Sequence, residues 1–134
     1  MSRFAKPVFL AAGLRTPFGR GGGALAAYDA VSLSVPVVQA MAQHAEPDLF
    51  VWGTVIPNLG WSNIAREVWL DAKLNPSVPA FSIVLACSTS MTATFAAAGM
   101  LGAGADLTLV GGAEVMSRPS LALTAASSKR LTDL

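Results

Sequence analysis

The chain has 134 residues, the length of one ordinary domain, and its nine Lys and Arg against eight Asp and Glu give a net charge of +1. This balance excludes the basic stripe of a nucleic-acid-binding protein and a polybasic membrane anchor. Cys87 is the only cysteine and His44 the only histidine, which excludes an internal disulfide and a structural zinc site. We therefore predict no metal site and a cytoplasmic location.

The chain is also poor in charge. Charged residues make up 13% of it and hydrophobic residues 53%, whereas charged residues make up about 25% of an average soluble domain. So little charge would leave large apolar patches on a free-standing domain. We therefore expect further protein, either a partner or more of the same chain, to cover much of the surface.

The first half of the chain predicts two strands with a helix between them. Residues 8–12 are apolar and predict a buried strand, and residues 13–23 predict a loop. The run Gly21-Gly22-Gly23 in this loop lacks the spacing and the Lys-Ser/Thr end of a phosphate-binding loop. Residues 29–43 carry valines at helical spacing after a capping aspartate, and residues 49–55 predict the second strand.

The second half continues the alternation. Residues 62–72 predict the second helix, and residues 80–85 predict a third strand that is buried on both faces. Residues 88–101 predict a third helix, and the glycines after it are expected to terminate it. Residues 106–110 predict the fourth strand, and the chain from Ser117 onward is interpreted as polar and irregular.

One uncharged stretch, between Pro79 and Asp106, is long enough to span a bilayer. It holds a central polar cluster, Cys87-Ser88-Thr89-Ser90, and several glycines, which do not suit a membrane span. Residues 8–12 are too few for the apolar region of a signal peptide. We therefore predict no membrane span and interpret the stretch as a buried strand followed by a helix.

The element order βαβαβαβ predicts an α/β fold with a mostly parallel sheet and helices on both faces. Ligands gather at the carboxyl ends of the strands in such sheets. Cys87 directly follows the third strand, and Gly111-Gly112-Ala113-Glu114 follows the fourth. We therefore expect both segments at the edge where this architecture builds sites.

Cys87 is the candidate catalytic residue because it stands where a strand gives way to a helix. The unpaired amides and the dipole at a helix start favour thiolate over thiol, which suits a nucleophile. Ser88, Thr89 and Ser90 are candidates for capping the orphan amides of that helix. The alternative is that Cys87 only fills volume in the core, as many free cysteines do.

Four segments resemble, in the same order, the N-terminal half of the thiolase family, and most closely the thiolase subunit of fatty-acid β-oxidation trifunctional complexes. They are Arg15-Thr16-Pro17-Phe18-Gly19, residues 53–56 with Ser62-Asn63-Ile64-Ala65-Arg66-Glu67, residues 78–87, and residues 111–117. The resemblance implies a partial thiolase N-terminal domain over residues 1–117 and the start of a loop or linker region over residues 118–134. The family's fifth strand and its C-terminal half are expected to be absent.

The resemblance also implies a reaction. The Cys87 thiolate attacks the 3-keto carbon of a 3-ketoacyl-CoA, acetyl-CoA leaves, and a second CoA removes the acyl group from sulfur; the reverse is a Claisen condensation. Coenzyme A is then a substrate, and no cofactor is implied. Substrate-binding residues are not assigned. The family's histidine and asparagine motifs and its second cysteine are not among these residues, so we expect the 134 residues alone to be inactive.

The resemblance implies partners as well: CoA thioesters, a second copy of the chain in a dimer or tetramer, and a hydratase/dehydrogenase subunit. Two alternatives stay open. Ser90 stands where many thiolases have glycine, which brings the cysteine motif nearer to that of ketoacyl synthases, so the chain could be part of such a condensing enzyme. The other alternative is a non-catalytic thiolase-like module for binding or dimerisation.

Overall fold

The computed structural model describes residues 7–117 and 123–133. Within these ranges a three-stranded parallel sheet has the order β2-β1-β3, so β1 is the central strand. The predicted α/β class with a parallel sheet is confirmed. The elements are α1 (Ala30–Ala42), β1 (Leu49–Gly53), α2 (Ile64–Asp71), β2 (Ala80–Ile83), α3 (Thr89–Met100), β3 (Thr108–Gly112) and α4 (Ala125–Thr132).

The central strand β1 is buried at every residue, because it has a neighbouring strand on each side and helices on both faces. Its side chains alternate between two cores, as the pleat requires. Phe50 and Trp52 pack in the cluster that α1 and α2 complete, whereas Val51 packs with Ala93 of α3 on the opposite face. The prediction of helices on both faces is therefore confirmed.

The helix ends follow local sequence signals. Asp29 caps α1 in a reciprocal pair with Ser32, in which each side chain bonds the other residue's amide. Asn63 caps α2 by accepting the amide of Arg66 at 3.1 Å. Gly102 follows the end of α3 with a φ of 83°, a left-handed conformation that glycine adopts without strain.

The predicted first strand over residues 8–12 is wrong for this structure. Residues 7–20 form neither helix nor strand, and Phe9 and Leu10 are exposed. A strand persists only when its backbone groups pair with a neighbouring strand, and no described strand pairs with this segment. The described sheet accordingly has three strands where the sequence pattern predicts four.

Two further expectations also need correction. The third predicted strand, expected to be buried on both faces over residues 80–85, is β2, which ends at Ile83 and is half-buried throughout. It is half-buried because it lies at the edge of the described sheet, with a neighbouring strand on one side. The region after Ser117 contains a helix, α4, whose start Thr124 caps by accepting the amide of Ser127 at 3.2 Å. This helix buries none of its residues, and residues 118–122 lie outside the described ranges.

None of the helices in the described ranges has the length and hydropathy that a bilayer crossing needs.

Asp48 joins the amino-terminal ends of β1 and β3. Its carboxylate accepts the amides of Asp106 at 2.9 Å and Leu107 at 3.0 Å, and these bonds hold the pKa of Asp48 below its ordinary value of 3.8. A depressed folded pKa contributes stability at pH above the ordinary value, and the contribution is lost as the pH falls through the folded pKa.

We therefore expect Asp48→Asn to lower the free energy of unfolding at pH 7 and to have a shrinking effect as the pH falls below 3.8. Urea denaturation of both proteins across this pH range measures the difference. A deficit that stays constant down to the most acidic pH would show that Asp48 does not act through its charge.

Candidate nucleophile site at the strand ends

The carboxyl ends of β1 and β3 and the turn that follows β2 line one small cavity of about 150 Å³. The predicted meeting of Cys87 with the segment after the last strand is confirmed, because the parallel strands end at the same sheet edge. The residues that line the cavity are Gly53, Thr54, Val55, Ala86, Cys87, Thr89, Ser90, Gly112, Ala113 and Glu114.

Cys87 is an exposed free thiol immediately before Ser88, the N-cap residue of α3. It is therefore not the core-filling cysteine of the alternative interpretation. The turn that carries it is tight: the Ser88 amide bonds the Leu85 carbonyl at 3.0 Å, and the Thr89 amide bonds the Ala86 carbonyl at 3.2 Å. Ala86 has a φ of 46°, the left-handed region that residues with a Cβ rarely occupy.

The predicted capping of α3 by hydroxyl side chains is wrong. Ser88 makes no side-chain capping hydrogen bond. The Thr89 hydroxyl turns back instead, accepting the Leu85 amide at 2.8 Å and donating to the Ala86 carbonyl at 2.7 Å. The amides of the first helical turn, which lack intrahelical partners, are therefore left without a cap from the Ser88 side chain.

Two glycines allow the elements of the site to approach closely. A Cβ at position 53 would collide with Thr89 Cγ2 and lie 2.6 Å from the Ile83 carbonyl oxygen. A Cβ at position 112 would lie 2.8 Å from the Gly53 carbonyl oxygen. Only glycine therefore fits at the end of β1, against α3 and β2, and at the end of β3, against β1.

Glu114 links the ends of β1 and β3. Its Oε2 accepts the Thr54 hydroxyl at 2.9 Å, and the same oxygen accepts the amides of Val55 at 2.9 Å and Ile56 at 2.8 Å. Its Oε1 accepts the amide of Val115 at 3.0 Å. The carboxylate charge is therefore compensated by four donors. The position of Glu114 at a strand end is visible in the sequence, but this structural role was not predicted.

No group of three or more His, Cys, Asp or Glu side chains in residues 7–117 and 123–133 is arranged to hold a metal ion. His44 lies after the end of α1, where its amide bonds the Met41 carbonyl, and it is not among the residues that line the cavity. Among the described residues that line the cavity, Cys87 and Glu114 are the two with ionisable side chains.

Comparison with known proteins identifies the family, because residues 8–133 match the model of the thiolase N-terminal domain. The chain belongs to the thiolase family. It is 32% identical over 125 residues to an acetyl-CoA acetyltransferase of Synechocystis sp., covering 89% of this chain and 32% of that protein. It is 35% identical over 122 residues to a 3-ketoacyl-CoA thiolase of Vibrio cholerae, covering 87% and 28%.

The same relationship holds in three dimensions. The crystal structure of the Bacillus anthracis acetyl-CoA acetyltransferase superposes with a TM-score of 0.76 at 32% identity, covering 83% of this thiolase-family chain and 30% of that one. The chain thus spans about a third of the length of the curated relatives it matches.

Proposed function

We propose that Cys87 is the nucleophile of a thiolase-type acyltransferase that cleaves 3-ketoacyl-CoA with CoA, or runs the reverse Claisen condensation. The observation that carries the proposal is an exposed thiol on a left-handed turn, directly before an N-terminus of α3 that Ser88 does not cap, at the cavity where the strand ends meet. Membership of the thiolase family and relatives named 3-ketoacyl-CoA thiolase support the chemistry.

The proposed reaction has two steps. The Cys87 thiolate adds to the 3-keto carbon, the bond between C2 and C3 breaks, and acetyl-CoA leaves after its enolate takes up a proton. The shortened acyl group remains as a thioester on Sγ until the sulfur of a second CoA displaces it and the thiol is restored. A sulfur nucleophile thereby divides one difficult carbon–carbon cleavage into two easier transfers.

The start of α3 would stabilise the negative charge that develops on the substrate oxygen. When the thiolate adds to a carbonyl, the oxygen becomes negative and needs nearby hydrogen-bond donors. The amides of a first helical turn have no intrahelical acceptors, and the Ser88 side chain does not occupy them here. The Ser88 and Thr89 amides already bond the Leu85 and Ala86 carbonyls, so we assign the next two amides, those of Ser90 and Met91, to the developing oxyanion.

The proton transfers need groups other than those that line the cavity. Glu114 already accepts four hydrogen bonds, which suits an anchor better than a group that exchanges protons. We propose that further protein supplies the base that activates Cys87 and the acid that protonates the enolate. The isolated 134 residues are then inactive, as expected from the sequence.

The wider context belongs to the same proposal: coenzyme A as a substrate, no resident cofactor, a dimer or tetramer, a hydratase/dehydrogenase partner and a cytoplasmic location. Exposed apolar side chains near Cys87 in sequence favour coverage by further protein. Val84, Leu85 and Met91, close to Cys87 in sequence, are exposed, as is Phe95 farther along α3. These exposed apolar side chains and the scarcity of charge both favour contact with more protein.

The test is the rate at which iodoacetamide alkylates Cys87 at pH 7. We expect the folded chain to react on the order of tenfold faster than a synthetic peptide of residues 83–91, because the peptide carries the same thiol without the helix dipole. Mass spectrometry of quenched samples follows the reaction, and Cys87 is the only thiol in either molecule. Equal rates would contradict the proposal and favour the non-catalytic module.

A further inference from the structure

We propose that Thr89 is a positioning residue that holds the left-handed turn on which Cys87 is presented. This inference rests on the proposed function, because it concerns how the same thiol is placed. Thr89 opens α3, and two residues separate it from Ala86, the residue with the positive φ. Thr89 is 4% exposed, whereas Cys87 is exposed, so the Thr89 side chain supports the turn from its buried side.

The Thr89 hydroxyl ties together the two residues that precede Cys87. It accepts the Leu85 amide at 2.8 Å and donates to the Ala86 carbonyl at 2.7 Å. A left-handed φ is unfavourable for a residue with a Cβ and persists only when its surroundings enforce it. The two hydrogen bonds bracket Ala86 and supply that enforcement.

The Thr89 methyl group anchors the same turn to the sheet. Cγ2 lies so close to Gly53, on the central strand, that a Cβ at position 53 would collide with it. Gly53 is buried between its two neighbouring strands, so the methyl packs against a rigid part of the fold. The side chain therefore holds the turn through its hydroxyl and fixes it to β1 through its methyl.

Substitutions at Thr89 separate these contributions. Thr89→Val keeps the shape and removes both hydrogen bonds, whereas Thr89→Ser keeps the hydroxyl and removes the methyl. Thr94→Val is the matched control, because Thr94 also lies in α3 and its exposed hydroxyl bonds the Ser90 carbonyl at 2.9 Å. The readout is the iodoacetamide rate of Cys87 at pH 7, with far-UV circular dichroism and urea midpoints to verify folding.

We expect Thr89→Val to slow alkylation about tenfold in a folded chain, the effect of losing roughly one to two net hydrogen bonds. Thr89→Ser should restore most of the rate, and Thr94→Val should leave it unchanged. A folded Thr89→Val chain that reacts as fast as the wild type overturns the positioning role while the proposed function stands. If the wild-type chain reacts no faster than the peptide, the proposed function fails first.

A second measurement needs no variant and covers the case in which Thr89→Val does not fold. Amide hydrogen exchange of the wild-type chain reports whether the Leu85 amide is bonded. We expect its protection to match that of the Ser88 amide, which closes the same turn. A Leu85 amide that exchanges as fast as one in an unfolded peptide overturns the inference.

Discussion

Replacing Cys87 with alanine is expected to reduce thiolysis by at least about 10⁴-fold in an enzyme that joins these residues to a C-terminal thiolase half, because losing the proposed nucleophile removes the thioester path entirely. The matching segment of the Bacillus anthracis acetyl-CoA acetyltransferase can be exchanged for this chain to build such an enzyme. Thiolysis of acetoacetyl-CoA is followed as loss of its enolate absorbance.

The control for this substitution is Ser88→Ala in the same enzyme. Ser88 precedes α3 but its side chain makes no capping bond, so most of the activity should remain. Mass spectrometry after rapid quenching should find an acyl adduct on residue 87 of the unsubstituted enzyme and none in the alanine variant. An alanine variant with full turnover would refute the assignment of Cys87 as nucleophile.

The second large effect is on stability: Phe50→Ala should lower the free energy of unfolding by about 3–5 kcal/mol. Phe50 is fully buried on the central strand, 5.4 Å from the Trp52 ring and 5.0 Å from the Trp69 ring between centroids. Its removal leaves a cavity between β1 and α2 that these large rings cannot fill. Since domains are stable by about 5–15 kcal/mol in total, a large part of the variant should be unfolded in moderate urea.

Phe95→Ala is the matched control, because Phe95 is 61% exposed on α3. Its loss should change the free energy of unfolding by no more than about 0.5 kcal/mol. Urea titrations monitored by tryptophan fluorescence and by circular dichroism measure both variants. Similar losses for the two substitutions would mean that the cluster around Phe50 is not the principal core.

Much of this fold follows from local sequence patterns. The helices α1, α2 and α3 begin within two residues of their predicted starts, and the capping side chains of Asp29 and Asn63 are responsible for two of these starts. Strand β1 is recognisable because Leu49, Phe50 and Val51 form an apolar run. Helix α4 was missed because its polar residues suggested a loop, although they include good helix formers.

The errors concern strand pairing, which no local pattern reveals. Residues 8–12 are as apolar as a buried strand, yet a strand also needs a neighbour that accepts its hydrogen bonds. Whether β2 is central or at an edge likewise depends on the order of the strands in the sheet. A run of apolar residues alone does not distinguish these cases.

At the site, too, some features follow from the sequence pattern and others depend on the tertiary structure. The rule that parallel strands end together was enough to bring Cys87 and Glu114 to one cavity. The roles of the polar side chains could not be predicted in this way. Thr89 has the sequence context of a helix cap, but its hydroxyl bonds backward to Leu85 and Ala86. Three of the four donors to Glu114 come from residues 54–56, which are distant in sequence.

The exposed apolar side chains near Cys87 in sequence have a consequence for the lifetime of the proposed acyl-thioester. A thioester on an exposed residue stands in contact with solvent and is open to hydrolysis, which would release a free acid in place of acyl-CoA. A protein surface that packs on Val84, Leu85 and Met91 would exclude this water. The incoming CoA thiol would then be the main acceptor of the acyl group. Covering these apolar side chains would therefore decide whether the acyl group passes to CoA or is lost by hydrolysis.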